Sequence, residues 1–383
     1  MMRRRDFLRG AAGAPLAMGT LFEAARADAL ATGRAPSIAY DIEHAGKTVP
    51  IPGAELFAMP DPGPRTDTRT ALMSQGDICV SGAGYLWKSR DRGETWTMTE
   101  LPCGTAGGFG ILDRDVFILL DDAKENLGTS VRRSTDKGSS WSDPVALDIW
   151  PYDISGGGWS DVYQHPDGTA MITVTLRRRD GWDRWDDPAI RGFHDFIFRS
   201  TDGGKSWGDR TLIVPYSAET SLLALRDSRR MLCFIRAQRG NLPEDSPDLW
   251  KQTGCTQGHA YPLKNGVVAE SDDGGRTWKN LRLFDTYGSI PGELIQVPDG
   301  RLAAVWLQRY PHDKSEIRVR ISADGGRTWG KQNFALRQGH GYPSSVVYAD
   351  GTIVTVCENI RMTRTGQPVG KRTMAASRWR LPT

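Results

Sequence analysis

The chain has 383 residues, of which 39% are hydrophobic and 25% are charged, so it can bury a substantial core. Its 49 Lys and Arg residues nearly balance its 46 Asp and Glu residues, which leaves no large excess of positive charge for binding nucleic acid. After the N-terminus, no apolar run approaches the roughly 20 residues that span a bilayer. We therefore expect neither nucleic acid nor a membrane as a partner of the folded protein.

Residues 1–27 have the pattern of an export signal. The run Arg-Arg-Arg-Asp-Phe-Leu-Arg at 3–9 resembles the twin-arginine export motif, a mildly apolar stretch follows at 10–22, and Ala-Arg-Ala at 25–27 is a small-x-small cleavage site. We predict that this segment engages the twin-arginine translocase and that the mature protein is periplasmic or secreted. The segment carries five Arg and two acidic residues, so its removal leaves 44 basic and 44 acidic residues and no net charge.

The cysteines indicate neither a disulfide framework nor a metal site. Their number is odd and no two are spaced as Cys-x-x-Cys, so no zinc site or other metal site is expected. Three of them stand in apolar, strand-like runs and are predicted to be small core residues: Cys79, Cys233 and Cys357.

The pattern Ser-x-Asp-x-Gly-x-x-Trp occurs five times and organises the chain. The copies occupy 89–96, 134–141, 200–207, 271–278 and 322–329. In each copy the Asp can accept hydrogen bonds from backbone N–H groups of its own turn, the Gly allows positive φ, and the Trp can hold the turn against a sheet. Each copy therefore predicts a tight hairpin between two strands, as part of the scaffold rather than as a metal or sugar site.

The spacing of these hairpins predicts the blades of a β-propeller. Successive Trp residues of the repeat are 45, 66, 71 and 51 positions apart, which is the range for four-stranded blades. A second set of turns predicts the hairpin between the first two strands of each blade, most clearly at 165–168, 297–300 and 348–351. The predicted blades are 67–100, 104–148, 155–213, 217–285, 288–336 and 340–380.

The predicted fold is thus all-β, a six-bladed β-propeller in one domain at 46–383, preceded by a linker at 28–45. The sixth blade has no repeat after its third strand. We expect residues near 47–58 to supply its outer strand, which would close the ring and remove the exposed sheet edges.

The directions of the predicted strands indicate on which face of the ring a site lies. First strands begin, and second strands end, on the same face of the ring, while the repeated hairpins lie on the other face. Charged and aromatic residues collect at these positions: Asp121, Asp122, Trp159, Asp161, Arg177, Arg178, Arg179, Glu219, Arg236, Arg239, Glu293, Arg309, Tyr310, His340, Tyr342, Glu358 and Arg361. Several Arg side chains near one axis are suited to holding an anionic substrate, because the guanidinium fork matches a carboxylate.

The five repeats are identified as Asp-boxes (BNR repeats), and the chain resembles the sialidase (neuraminidase) superfamily, although non-enzymatic propellers also carry Asp-boxes. Two stretches are similar to the family's site: the one from Glu219 to Arg236 and the one from Tyr342 to Glu358. The resemblance implies that Tyr342 is the nucleophile and Glu219 its base. It further implies that Arg69, Arg236 and Arg309 form the clamp for the substrate carboxylate, that Glu358 is also a substrate-binding residue, and that no cofactor is needed.

The chain departs from the family in three places. The family's first Arg stands in Phe-Arg-Ile-Pro, whereas this chain offers Arg69 in Thr-Arg-Thr-Ala-Leu. The third Arg is either Arg309, which is on the expected face, or is replaced by Lys314, which fits the family spacing better. The loop 81–84, where the family places its acidic Asp, has no carboxylate; Asp161 or Asp121 is the remaining candidate for the general acid, and Asp161 is favoured.

Two insertions leave second strands on the site face, at 177–194 with Trp182 and Trp185 and at 237–266 with Trp250 and Tyr261. These aromatics are suited either to stacking on sugar rings or to packing within their own insertions.

Three functions remain open. The first is an exported glycoside hydrolase of sialidase type that acts on a terminal sialic acid or similar anionic sugar of a carbohydrate or glycoconjugate. The second is a polysaccharide lyase in which Tyr342 or His340 removes a proton beside a uronate carboxylate. The third is a non-catalytic propeller that binds glycan.

Overall fold

The computed structural model describes residues 38–40, 48–60, 68–101, 107–121, 130–154, 159–178, 192–226, 229–243, 245–256 and 261–382. The predicted export signal, most of the predicted linker, and the residues Cys103, Asp122, Arg179, Trp182 and Trp185 lie outside this part of the chain.

Six antiparallel sheets confirm the predicted all-β, six-bladed propeller. In five sheets the strands follow one another in chain order from first strand to outer strand, which is the predicted order of a blade. Blade 1 consists of Arg69–Leu72, Ile78–Gly82, Tyr85–Ser89 and Thr97–Glu100. Blade 2 consists of Phe109–Leu112, Val116–Asp121, Ser130–Ser134 and Val145–Ala146. Blade 3 consists of Val162–Gln164, Ala170–Arg178, His194–Ser200 and Gly208–Pro215. Blade 4 consists of Ser217–Ala224, Met231–Arg239, Leu263–Ser271 and Lys279–Leu283. Blade 5 consists of Ser289–Gln296, Leu302–Gln308, Glu316–Ser322 and Phe334–Gln338. Blade 6 consists of Ser344–Val347, Ile353–Met362, Pro368–Trp379 and Glu55–Met59.

The remaining elements are short. A strand at Tyr152–Ile154 pairs with the second strand of blade 3. Within the described part of the chain, the helical elements are two 3-10 turns, Asp113–Asp115 and His312–Lys314, and one α-helix, Leu249–Thr253. Within the described ranges, no helix is long and apolar enough to cross a membrane.

The sixth blade is closed by the N-terminal part of the domain, as predicted, but by fewer residues. Glu55–Met59 pairs antiparallel with Pro368–Trp379, with Glu55 opposite Arg378 and Met59 opposite Met374. Val49–Pro50, also in the expected closing segment, instead adds a parallel strand to the outer edge of blade 5. Ala39, in the predicted linker, exchanges backbone hydrogen bonds of 2.9 Å with Leu281 and Leu283 on blade 4.

The core lies between neighbouring blades. At the junction that closes the ring, Val80 and Trp87 of blade 1 pack in one cluster with Val354, Val356 and Met374 of blade 6. Similar clusters fill the junctions between blades 1 and 2, 3 and 4, 4 and 5, and 5 and 6, because each strand presents alternate apolar residues to the sheet beside it. The three cysteines predicted to be core residues are buried, which confirms that prediction.

The Asp-boxes have the local hydrogen bonding that the sequence predicts. In the third box, Ser200 Oγ donates to Asp202 Oδ1 over 2.7 Å, and the backbone N–H groups of Gly204 and Ser206 donate to Ser200 Oγ and Asp202 Oδ1 over 2.9 and 3.0 Å. Hydrogen bonds from Ser140 and Ser134 likewise lower the pKa of Asp136 to about 2. The box carboxylates are therefore engaged by their own turns.

The Gly that all five boxes share also contacts the neighbouring blade. Gly204 has φ +82°, and a Cβ there would lie 2.4 Å from Ile118 Cδ1 of blade 2. Gly203, in the same turn, has φ +72° with nothing within 4 Å of its Cβ position.

These two glycines allow a matched test of inter-blade packing. Both Gly203→Ala and Gly204→Ala should lower the free energy of unfolding by about 1–2 kcal/mol through the left-handed backbone. Gly204→Ala should lose a further ~1–3 kcal/mol from overpacking against Ile118. Denaturant unfolding of both variants measures the difference, and equal losses would show that this contact does not stabilise the ring.

Candidate active site

Four predicted site residues meet in one contact network. Glu219 Oε1 accepts a hydrogen bond from the Tyr342 hydroxyl over 3.3 Å and forms an ion pair with the Arg236 guanidinium. Arg309 Nη2 donates to the Tyr342 oxygen over 3.3 Å. The Tyr342 hydroxyl thus lies between a carboxylate and a cation.

Glu219 owes its position to an irregularity in the first strand of blade 4. The pairing with the second strand shifts register between Ala218 and Ser221, and Glu219 has φ +51°. Such a conformation is rare for a residue with a side chain, and bulges of this kind re-aim side chains next to functional sites. The Glu219 N–H donates to Thr175 Oγ1 over 3.3 Å, which ties the irregular backbone to blade 3.

Tyr342 is placed where the chain enters blade 6. It precedes the strand Ser344–Val347, and Gly341 next to it lies against the backbone of Glu358. A Cβ at Gly341 would be 2.3 Å from the Glu358 carbonyl oxygen, so only glycine allows this approach. On its other side, the Tyr342 ring makes an edge contact with Trp159, with the ring centroids 6.5 Å apart.

The charges of this cluster stabilise one another. Burial by itself would lower the pKa of Arg236, but the negative charges of Glu219 and of an ionised Tyr342 outweigh it and raise that pKa above its usual range. Glu219 Oε2 is buried and has no hydrogen-bond partner among the described residues. The carboxylate therefore keeps one oxygen available as a proton acceptor.

Lys264 also belongs to this site, although it was not among the predicted residues. Burial lowers the pKa of its ammonium group to about 7, with Arg309 and Arg236 acting in the same direction and Glu219 opposing them. It stands near the start of the third strand of blade 4. Third strands begin on the same face as first strands. Strand direction therefore also predicts that a residue at the start of a third strand, such as Lys264, lies on the site face.

Arg69 and Asp161 are brought together, but in a second group. They form a buried ion pair, and the Arg69 guanidinium lies 4.0 Å from the centroid of the Trp159 ring. Asp161 Oδ2 also accepts the Leu222 N–H over 2.7 Å. Trp159, whose Nε1 donates to the Thr68 carbonyl over 3.0 Å, contacts Arg69 and Tyr342 and so connects the two groups.

The second group borders a cavity between the first strands of the blades. A cavity of about 540 Å³ is lined by the first strands of all six blades and by Arg69, Asp161 and Glu293. Burial raises the pKa of Glu293 to about 7, opposed by Arg69 and by hydrogen bonds from Ser345. Burial also lowers the pKa of Arg69 to about 10.

The other predicted residues lie at more distant positions or in other pairs. Glu358 is buried, and its carboxylate is 3.4 Å from Arg372 Nη1. Lys314 is exposed in the turn His312–Lys314, whereas Arg309 contacts Tyr342. Asp121 forms a 2.6 Å ion pair with Arg132. Within the described ranges, no group of three His, Cys, Asp or Glu residues could hold a metal ion.

Comparison with known proteins finds weak similarity to a sialidase and to a xyloglucanase. It is 27% identical to a Micromonospora viridifaciens sialidase over 210 residues, which are 52% of this chain and 30% of that protein. It is 24% identical to a Paenibacillus xyloglucanase over 285 residues, which are 68% of this chain and 24% of that protein. The chain thus spans less than a third of the length of either relative.

A crystal structure of a Dyadobacter fermentans protein of unknown function shares the fold, with a TM-score of 0.61 at 18% identity over 87% of this chain and all of that one. The family model described as a BNR repeat-like domain matches residues 116–356, which is more than half of the chain. The protein therefore belongs to the BNR repeat-like domain family.

Proposed function

We propose that the protein is a glycoside hydrolase of sialidase type that releases a terminal sialic acid or similar anionic sugar from a glycoconjugate. The observation that supports this proposal best is the contact of the Tyr342 hydroxyl with Glu219 Oε1 on one side and with Arg309 on the other. A tyrosine in this setting can be activated as a nucleophile.

The chemistry follows from the proton affinities of the groups. A free tyrosine has a pKa of about 10, so it is a weak nucleophile at neutral pH. Glu219 can accept the phenolic proton as the tyrosine oxygen attacks the anomeric carbon, and the positive charge of Arg309 stabilises the developing phenolate. A neutral attacking group avoids the repulsion that a carboxylate would meet at a carbon bearing its own carboxylate, which is why sialidases use a Tyr nucleophile.

The charge of the site favours an anionic sugar. Among the described residues, two permanent cations, Arg236 and Arg309, and one titrating cation, Lys264, lie beside Glu219 and Tyr342. One of the named relatives is a xyloglucanase and the other a sialidase. A surplus of guanidinium groups matches a sugar carboxylate and has no counterpart on a neutral polysaccharide, so we favour the anionic substrate.

Asp161, favoured from the sequence as the general acid, is better suited to positioning. Both of its oxygens accept hydrogen bonds, one from Arg69 and one from the Leu222 N–H, and these favour the ionised form. We propose that the Arg69–Asp161 pair holds Trp159, and through it Tyr342, rather than donating a proton to the leaving group.

The export motif at 3–9 supports a periplasmic or secreted location for this activity. We propose that the twin-arginine translocase carries the protein across the inner membrane, and that a carbohydrate or glycoconjugate is its substrate there.

The nucleophile is tested by removing single groups from the mature protein. Tyr342→Phe and Glu219→Gln should each reduce kcat/KM on a fluorogenic α-sialoside by roughly 10³-fold or more, because nucleophile and base act as a unit. Tyr348→Phe is the matched control: this tyrosine lies in the same blade at the opposite face, donates to the Gly76 carbonyl, and should leave activity unchanged.

Two results would contradict this assignment: full activity of Tyr342→Phe, or a folded wild type that hydrolyses no α-sialoside. In the second case, a rise in ultraviolet absorbance with uronate polymers would identify the lyase alternative, since elimination creates a new double bond. Binding of glycans without turnover of either substrate would identify the non-catalytic alternative.

The role of Asp161 is tested by varying the leaving group. Asp161→Asn should cost about 3–5 kcal/mol of stability, because it leaves the buried Arg69 charge without its partner. It should slow hydrolysis of an activated aryl sialoside and of an unactivated alkyl sialoside by the same factor. A selective loss on the unactivated substrate would show instead that Asp161 is the general acid, since only a poor leaving group needs its proton.

The export route is tested by conservative replacement. Changing Arg4 and Arg5 together to Lys should leave an unprocessed protein in the cytoplasm, because the translocase reads the arginine pair and not only its charge. Cell fractionation with immunodetection measures this. A processed periplasmic product in the double variant would refute the proposed route.

A further inference from the structure

Lys264 faces the same side of blade 4 as Arg236. It pairs directly with Gln238 in the antiparallel register between the second and third strands, and opposed residues project to the same face. Arg236 is two positions before Gln238 and therefore shares that face. Gln238 Oε1 accepts from Arg236 Nε over 3.0 Å and from Nη2 over 2.5 Å, so Lys264 emerges next to a guanidinium that is already fixed.

The head of Lys264 is held inside the site by aromatic side chains. Its Nζ is 3.5 Å from the Tyr310 hydroxyl and 5.9 Å from the centre of that ring. Tyr310 is stacked on Tyr287, with the ring centroids 5.2 Å apart, and lies against Gly288, where a Cβ would come within 2.3 Å of the ring. The ammonium group is thus half-buried instead of reaching freely into water.

The groups around Lys264 give it more positive than negative neighbours. Blade 4 contributes Arg236 and Glu219, and the segment after the second strand of blade 5 contributes Arg309 together with His312 and Asp313. Burial, with help from Arg309 and Lys264, lowers the pKa of His312, which disfavours a further positive charge beside Lys264. Among the described residues, two permanent cations and the Glu219 carboxylate thus act on Lys264, while Asp313 acts on His312. An added negative charge would offset the excess of positive charge at Lys264.

We propose that Lys264 is a third cation for the carboxylate of the bound sugar, and that it takes up its proton when the sugar binds. This inference rests on the proposed anionic substrate. Without ligand, burial and the two arginines lower the pKa of Lys264 to about 7, so a neutral amine is accessible near neutral pH. A carboxylate bound to Arg236 and Arg309 cancels their repulsion, and one proton passes from solvent to Nζ.

The direction of the pH effect follows from linkage. If the pKa of Lys264 is higher in the complex than in the free protein, affinity is full below pH 7 and falls as the pH rises toward the pKa of the complex. A shift of one unit corresponds to a tenfold change in affinity. The sugar carboxylate stays ionised over this range, because carboxyl groups titrate near pH ~4.

Calorimetry of the mature protein with the 2,3-unsaturated analogue of sialic acid tests the proposal. In wild type, the heat of binding at pH 7.5 should depend on the ionisation enthalpy of the buffer in the sense of proton uptake. The affinity should fall by about tenfold or more between pH 6.5 and 9. Binding without proton uptake, or with constant affinity over this range, would overturn the proposal.

Variants separate charge from proton uptake. Lys264→Arg keeps a permanent charge and should bind tightly with no dependence on pH, while Lys264→Met should bind weakly with no dependence on pH. Lys314→Met removes an exposed lysine of the same face and should behave as wild type. Thermal unfolding verifies that each variant is folded, and wild-type pH dependence in Lys264→Met would assign the effect to another group.

A second measurement keeps this proposal separate from the proposed function. Trace acetylation of the unliganded protein, followed by mass spectrometry, gives the titration midpoint of each lysine, with Lys314 as internal reference. A midpoint near 7 for Lys264 supports the proposal, and a midpoint equal to that of Lys314 overturns it whatever the substrate is. If no sugar acid binds to wild type, it is the proposed function that fails, and with it the assignment of a sugar carboxylate as the ligand.

Discussion

The alternation of strand direction within each blade is the constraint on which this protein depends. Because first strands run away from one face and second strands return to it, the turns between them and the Asp-boxes must collect on the opposite face. The tight glycine turns that join neighbouring blades, such as Gly204 against Ile118, therefore lie far from Tyr342. The topology thus places stabilising contacts and reactive groups on opposite faces. Substitutions in the site therefore leave the packing at these turns intact.

At the reactive face, the decisive interaction is the sharing of Glu219 Oε1 between Arg236 and Tyr342. The ion pair holds the carboxylate in place, and the irregular backbone at Glu219 aims it at the hydroxyl. A side-chain-bearing residue at positive φ costs on the order of 1–3 kcal/mol, so it persists only where the surroundings over-determine it. Thr175 and Arg236 provide that support from two different strands.

Much of this arrangement could be predicted because it depends on local pattern and direction. The five repeats and the turn at 348–351 together predicted six blades. Strand direction predicted that Tyr342, Glu219, Arg236 and Arg309 lie on one face, and the structure brings these four residues into contact. Lys264 was missed because third-strand starts carry no turn signal of their own. The pairing of Arg69 with Asp161 joins side chains 92 positions apart, and nothing in the local pattern of either residue specifies it.

The fold does not specify the substrate either, but the charges of the site favour one class of sugar over another. Among the described residues of the site, two guanidinium groups and a half-buried lysine lie beside Glu219 and Tyr342, so the cations repel one another. Lysine, unlike arginine, can reduce this electrostatic repulsion by losing its proton, since the pKa of a lysine responds to burial. A neutral sugar would leave this repulsion in place, whereas a sugar acid would offset it and favour the protonated form of Lys264. The asymmetry between a titrating lysine and two permanent arginines is therefore itself an argument for an anionic ligand.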